Sequence, residues 1–233
     1  MIPCVRSAVV AASSLCLLLA GSARADVILS ANFEPPTYAL GYVHGQDGWS
    51  AGIGWPHLVS NAIVHSGTQS LNGVRDYKDF DAPFSNLGTT WFAQAWCYMQ
   101  PIAGSSHFSI GNGLNEHFWI ELRGDGQLTF YSFSTLEVRT LGAAALNKWL
   151  RFKVELISPP STIRMSVTGD GVNEAWVYDM YAAGAPSFVH VGVYPPVNLA
   201  DGAGPYWDDI LVANETPVAT VPTSWGGVKA LYR

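Results

Sequence analysis

The sequence predicts an all-β protein, an antiparallel β-sandwich of two sheets with jelly-roll topology. Segments in which apolar and polar residues alternate recur along most of the chain, whereas no long segment has the spacing of an amphipathic helix. Turn-forming residues separate these segments, and the 233 residues include 23 Gly and 14 Pro. Many short strands joined by tight turns are typical of antiparallel sandwiches and jelly rolls.

The clearest predicted strand covers residues 91–100. Its odd positions up to Met99 carry Trp91 and small or apolar residues, and its even positions are a mixture of aromatic residues and amides. Because successive side chains of a strand point to opposite faces, one face should lie in the core and the other should be presented. The same period predicts further strands at residues 118–123, 127–133, 149–157, 163–167, 174–178, 188–194 and 206–212. A short helical piece is expected near residues 141–147.

The two ends of the chain predict export and a separate tail. Arg6 is followed by an apolar run over residues 8–20 and by Ala23-Arg24-Ala25, which is typical of a secretory signal and its cleavage site. The mature chain is therefore expected to begin at Asp26 as a soluble, secreted protein without a membrane span. The sandwich domain is predicted to cover residues 26–213, and residues 214–233 are predicted to form a linker and a C-terminal tail.

Charge and cysteine content restrict the classes of partner. Removing Arg6 and Arg24 with the signal lowers the basic residues from 12 to 10 against 18 acidic ones, so the net charge changes from −6 to −8. An acidic surface without a basic cluster argues against nucleic acid and suits neutral glycans and cations. Of the three cysteines only Cys97 remains in the mature chain. It cannot form an intramolecular disulfide, and its place on the small-residue face predicts a buried thiol.

Four segments together resemble the secreted concanavalin-A-like and carbohydrate-binding jelly rolls and, more distantly, laminin-G-like domains. The resemblance covers roughly residues 27–213, and the segments are Phe33-Glu34, Gly45-Gln46-Asp47-Gly48-Trp49, His65-Ser66-Gly67-Thr68-Gln69-Ser70-Leu71 and Trp207-Asp208-Asp209-Ile210.

That resemblance implies a structural calcium ion. Its ligands would be a first-strand glutamate, turn carbonyl groups and a last-strand aspartate, which match Glu34, the Ser66 and Gly67 backbone, and Asp209. Asp208 could replace Asp209, because strand alternation lets only one of the pair face outward. The alternative is that Glu34 is a surface carboxylate and that the two aspartates cap a turn.

Two outward rows of side chains have the chemistry of a sugar-binding site. Aromatic faces cover the apolar side of a sugar ring, while amides and charged groups pair with its hydroxyls. If both rows lie on one concave sheet, they form a single groove that binds a polysaccharide or glycan without catalysis. The alternatives are burial of these rows, and an envelope or matrix protein whose tail directs sorting. The candidate residues are Gln94, Trp96, Tyr98, Trp119, Glu121 and Arg123.

Glycoside hydrolysis of the laminarinase type is disfavoured. Those enzymes carry Glu-x-Asp-x-x-Glu on one strand, and the chain has no such run. The pair that comes nearest to this spacing is Glu116 and Glu121, which are five positions apart and are expected on opposite faces of their strand.

A polysaccharide lyase remains an alternative to binding. Residues 120–123 and 189–194 resemble the arginine-bearing and tyrosine-bearing strands of alginate-lyase-like sandwiches. The resemblance implies that Arg123 neutralises a uronate carboxylate and that Tyr194 transfers the proton in β-elimination. The leading arginine and the Gln-x-His strand of that family are not recognisable, and the acidic net charge disfavours a polyuronate.

The N-terminal histidines do not predict zinc. His44, His57 and His65 are separated by 13 and 8 positions, which matches no compact ligand pattern.

Overall fold

The computed structural model confirms the two-sheet antiparallel sandwich. It describes residues 26–50, 57–73, 81–85, 87–112, 115–133, 135–158, 162–179, 186–194 and 202–214. The predicted signal and the tail after residue 214 lie outside these ranges. Within them the chain forms fifteen strands and no helix. The strands are β1 (Asp26–Ala31), β2 (Gly41–Tyr42), β3 (His57–Ser60), β4 (Ser70–Gly73), β5 (Asp81–Pro83), β6 (Trp91–Tyr98), β7 (Ser105–Asn112), β8 (Asn115–Arg123), β9 (Gln127–Ser132), β10 (Glu137–Ala143), β11 (Trp149–Ser158), β12 (Thr162–Gly169), β13 (Val172–Asp179), β14 (Phe188–Tyr194) and β15 (Tyr206–Asn214).

The strands form a nine-stranded and a six-stranded sheet. The nine-stranded sheet has the order β13-β12-β11-β6-β15-β4-β3-β2, with β1 pairing to β15 outside this path, and the six-stranded sheet has the order β10-β9-β8-β7-β14-β5. The first and last described strands thus pair with each other, antiparallel from Asp26 opposite Asn214 to Ala31 opposite Ile210. No helix in the described part of the chain has the length and apolar character to cross a bilayer.

The core lies between the two sheets and follows the alternation of the strands. Ala95 and Cys97 of β6, and Ile120 and Leu122 of β8, have no solvent-exposed surface. The Cys97 sulfur lies 3.3 Å from the Ser106 hydroxyl of β7, so the inner faces of the two sheets are in direct contact. The predicted buried thiol is confirmed.

The eight strands predicted from period-two alternation are all present, and no bound differs by more than three residues. The predicted helical piece at residues 141–147 is wrong. Its first part belongs to β10, where Leu141 pairs with Leu128 of β9. Asn147 has a φ of 59°, a left-handed conformation that a right-handed helix cannot contain.

Candidate functional site

The outer face of the six-stranded sheet presents the predicted residues of β8. Trp119, Glu121 and Arg123 alternate with core residues and therefore point away from the other sheet. Backbone pairing then sets their neighbours, because Glu121 stands opposite His107 of β7 on one side and opposite Thr129 of β9 on the other. Residues directly opposite in antiparallel strands share a face, so β7, β8 and β9 contribute to one surface.

A groove of about 400 Å³ lies on this surface. It crosses strands β7 to β10 and reaches β14. Its size falls in the range of small-ligand sites, about 300–1,000 Å³. Its principal lining side chains are Glu121, Arg123, Gln127, Thr129, Tyr131 and Tyr194.

A cluster of aromatic rings centred on Trp119 lies beside the groove, and two of its members, Tyr131 and Tyr194, line it. The Trp119 ring centroid lies 5.7 Å from that of Tyr131 and 5.5 Å from that of Tyr194, and Phe133 stacks on it at 5.6 Å. Tyr194 keeps 48% of its surface exposed and Phe133 keeps 38%. Partly exposed, mutually supported rings of this kind offer rigid apolar faces to a ligand at little conformational cost.

Polar groups of the groove hold one another in place. The Arg123 side chain is 50% exposed, and its guanidinium lies 3.2 Å from a carboxylate oxygen of Asp125 and donates a hydrogen bond of 3.0 Å to Gln127 Oε1. Burial and, after it, a hydrogen bond to Glu121 together raise the pKa of Tyr131 to about 12. Tyr131 therefore remains a phenol at neutral pH and orients Glu121. A hydroxyl-bearing ligand would meet oriented donors and acceptors.

Gln94, Trp96 and Tyr98 do not share this groove. They lie on β6, whose partners are β11 and β15 in the nine-stranded sheet. Because the alternate residues of β6 fill the core, these three side chains face outward on the opposite side of the sandwich. The prediction of one groove formed by both rows is therefore wrong, although both rows do point outward. Chain proximity suggested neighbouring strands, but β6 and β8 belong to different sheets.

The outer row of β6 contacts other rings instead. Trp96 stacks on His65 with 4.0 Å between ring centroids, and Tyr98 lies 5.6 Å from Trp149. Lys153 lies over the ring of Phe92 at 4.8 Å. This face is thus a separate aromatic surface.

Glu116 and Glu121 lie on the same face, contrary to the expectation from simple alternation. A register shift between Ile110 and Gly111 places Glu116 opposite Gly111. Such a bulge re-aims the side chains that follow it. The carboxylate of Glu116 accepts a hydrogen bond of 2.6 Å from Ser109, which points outward between core residues of β7. The geometric ground for disfavouring two-carboxylate chemistry is therefore removed.

The four residues predicted to hold calcium gather where the ends of the domain meet. Glu34 accepts hydrogen bonds from the Thr68 backbone N–H at 2.7 Å, the Thr68 hydroxyl at 2.6 Å and the Gln69 N–H at 2.8 Å. Its carboxylate also lies directly against Gly67. Burial acts to raise the pKa of Glu34, but the Thr68 and Gln69 hydrogen bonds outweigh it and hold the pKa below its usual range.

Both aspartates of β15 reach the same loop, residues 65–69. Asp208 is fully buried and accepts hydrogen bonds of 3.1 Å from the backbone N–H groups of His65 and Ser66. Asp209 accepts from His65 Nδ1 at 2.7 Å and from the Ser66 hydroxyl at 2.9 Å. Asp209 has a φ of 47° within a register shift of β15. Alternation predicted that one aspartate would serve in place of the other, but both carboxylates reach the loop, because the bulge interrupts the alternation.

The donor set fits a cation through its carboxylates. Ligand atoms of His65, Asp208 and Asp209 all lie within 4.8 Å of one another. Burial and then the neighbouring Asp209 charge act to raise the pKa of Asp208 to about 6 against its hydrogen bonds, and a bound cation would reverse that effect. Ser66 donates to the two aspartates through its N–H and hydroxyl groups. These contacts do not involve the backbone carbonyl groups that were predicted as calcium ligands. Calcium stays a prediction.

Comparison with known proteins identifies the fold and leaves the family open. No protein-family model and no curated protein sequence matches the chain. Solved structures do match: a sialidase at a TM-score of 0.53 and 13% identity, over 82% of this chain and 19% of that one. The CBM2 module of the Lactobacillus casei BL23 phage J-1 evolved Dit matches at a TM-score of 0.52 and 9% identity, over 82% and 97% of the two chains. Lectin II from Ulex europaeus matches at a TM-score of 0.50 and 10% identity, over 83% and 100%.

The fold is a concanavalin-A-like jelly roll. The resemblance expected from the four sequence segments is confirmed at the level of fold, which is what identities of 9–13% can show. The chain spans only 19% of the sialidase, so that match concerns one domain-sized part of a larger protein.

Three side chains on the site face were not predicted from the sequence. His107, Tyr131 and His190 lie there beside the predicted residues of β8. His107 belongs to β7, which was not predicted because serines occupy both of its faces. The available signal was the pair Phe108 and Ile110, whose period-two spacing leaves His107 on the other face.

Proposed function

We propose that this protein is a carbohydrate-binding, lectin-like module whose site is the groove on the outer face of the six-stranded sheet. The observation that carries the proposal is the juxtaposition of the Tyr131 and Tyr194 rings with Glu121 and Arg123 in one open groove, where the Trp119 ring packs against both tyrosines. Rings that cover the apolar side of a sugar beside groups that pair with hydroxyls are the chemistry such a ligand needs. The lectin and carbohydrate-binding-module folds among the similar structures support it.

Binding is expected to be extracellular. The first 25 residues have the pattern of a secretory signal, and neutral glycans are compatible with an acidic protein. Mass spectrometry of protein from the medium of an expressing host should find Asp26 at the N-terminus. Retention inside the cell with residues 1–25 intact would contradict secretion.

A pull-down on insoluble polysaccharides and a glycan array test the groove. Once a ligand is found, Tyr194→Ala should weaken binding at least tenfold, because the exposed ring loses its contact with the sugar face. Trp96→Ala is the matched control, since it removes an aromatic ring from the opposite side of the sandwich.

The two variants distinguish the surfaces. Loss of binding in Trp96→Ala with full binding in Tyr194→Ala would move the site to the nine-stranded sheet. Full binding in both variants would refute an aromatic platform on either face.

A polysaccharide lyase is the second candidate, and the placement of three side chains favours it. His107, Arg123 and Tyr194 lie on neighbouring strands of one face, since Ser105 pairs with both Arg123 and Tyr194 and His107 stands two residues further along β7. An arginine that neutralises a carboxylate and a phenol that transfers a proton are suited to β-elimination. New absorbance from unsaturated sugars across a panel of uronates, lost in Tyr194→Phe while binding persists, would establish it. No product with any uronate would exclude it.

A further inference from the structure

Two histidines and a glutamate meet on the outer face of the six-stranded sheet, outside the residues that line the groove. They are His107 of β7, His190 of β14 and Glu116 of β8, and their ligand atoms all lie within 4.8 Å of one another. The strands β8, β7 and β14 are consecutive in the sheet. Backbone pairing therefore positions all three side chains on rigid elements, which suits a site that must hold a fixed geometry.

Packing around this His-Glu-His cluster restricts its side chains further. The two imidazole rings are nearly parallel at 10°, with 4.9 Å between their centroids, and the two residues are only 4% and 6% exposed. Ser109, which stands opposite His190 in the sheet, donates a hydrogen bond of 2.6 Å to one carboxylate oxygen of Glu116. Polar partners of this kind orient the ligands of protein metal sites.

We propose that His107, His190 and Glu116 bind a divalent transition-metal ion of the zinc type. Imidazole nitrogens favour zinc and its neighbours over calcium, and two histidines with one carboxylate are an established donor combination. Metal–nitrogen bonds of about 2.1 Å in a tetrahedral site separate the ligand atoms by roughly 3.4 Å. Ligand atoms that all lie within 4.8 Å of one another need to approach by at most about 1.4 Å to reach that separation, which rotations of the side chains can supply without moving the strands.

The metal would lie beside the aromatic cluster around Trp119. The ring of His107 is 4.3 Å from that of Trp119, which in turn contacts Tyr131 and Tyr194. Three protein ligands leave a fourth position of a tetrahedral ion for a water molecule or a ligand hydroxyl. The metal site does not depend on glycan binding, because its ligands are distinct from the residues tested there.

The test is titration of the purified, chelator-treated protein with Zn²⁺ alone, followed by calorimetry and by thermal unfolding. One equivalent should bind with a dissociation constant of about 1 μM or below, and the melting temperature should rise, because an ion that binds only the folded state stabilises it. Glu116→Gln and His190→Gln should each weaken binding at least tenfold. His65→Gln alters the other histidine–carboxylate group and should leave zinc affinity unchanged.

Cobalt substitution gives an independent reading of the same site. Co²⁺ should produce visible absorption bands of a nitrogen–oxygen site without the intense thiolate band, since Cys97 faces the core. Glu116→Gln is the decisive variant if His190→Gln does not fold, because Glu116 is only half-buried and glutamine can still accept the Ser109 hydrogen bond. No binding to the folded protein at 100 μM Zn²⁺, or binding that His65→Gln abolishes and Glu116→Gln preserves, would overturn the proposal.

Discussion

Replacing Gly67 by alanine tests whether the contact between Glu34 and the loop at residues 65–69 requires a residue without a side chain at position 67. Gly67 has a φ of +67°, and an added Cβ would collide with the Glu34 carboxylate, which three hydrogen bonds hold in place. Gly48 is the matched control, because it has a φ of +80° and nothing within 4 Å of its Cβ position.

The magnitude follows from the difference between the two sites. Both alanine variants lose about 1–2 kcal/mol of unfolding free energy to left-handed backbone strain. Gly67→Ala must also displace the glutamate, and each hydrogen bond is worth about 1 kcal/mol net where solvent competes. Gly67→Ala should therefore be less stable than Gly48→Ala by about 1–3 kcal/mol.

Urea unfolding followed by tryptophan fluorescence, in chelator so that no metal contributes, measures both costs. In a Glu34→Ala background the excess cost of Gly67→Ala should vanish, because the obstructing carboxylate is absent. Equal costs for the two glycine variants, or an excess that persists without Glu34, would refute the steric reasoning.

Three further predictions concern the metal, the thiol and the core. If calcium binds at Asp209, removing it with a chelator should lower the melting temperature by about 5–10 °C at an initial concentration near 100 times the dissociation constant, and Asp209→Asn should remove that dependence; no change in the native protein would contradict it. Burial raises the pKa of Cys97 to about 12, so a thiol reagent at pH 8 should leave Cys97 unlabelled until denaturant is added, as peptide mass spectrometry can show. Ile120→Ala should lower the unfolding free energy by about 2–5 kcal/mol in urea titrations, because Ile120 is fully buried, whereas Val138→Ala at a 59% exposed position should change it by less than about 0.5 kcal/mol.

Which face of a strand lies in the core could be predicted from sequence because alternation is a local property. The odd positions of β6 up to Cys97 are buried and its even positions are not, as predicted. The same reasoning placed Trp119, Glu121 and Arg123 on an outer face. The period of a strand is set by its own backbone, so no distant contact is needed to read it.

Which strands share a sheet could not be predicted, since that depends on pairing between distant parts of the chain. β6 pairs with β15, more than 100 positions away, whereas β8 pairs with its chain neighbours β7 and β9. The predicted sugar-binding residues are consequently divided between two opposite surfaces. Period-two patterning assigns a side to each residue but does not say which sheet carries it.

Bulges are the second feature that local reasoning missed. The irregularity at Ile110 and Gly111 turns Glu116 to the face of Glu121, and the one after Asp208 lets both aspartates reach residues 65–69. A bulge does not show in the local pattern of apolar and polar residues, but the extra residue reverses the face to which the following side chains point.

The all-β class, the eight strands with clear alternation, the burial of Cys97 and the approach of both Glu34 and residues 208–209 to the loop at 65–69 could be predicted from the sequence. The location of the groove on the six-stranded sheet and the convergence of His107, Glu116 and His190 became clear only from the three-dimensional arrangement of the strands. The physical reason is that alternation arises within a strand, whereas a site on a sheet is assembled from strands whose neighbours are chosen by long-range hydrogen bonding and core packing.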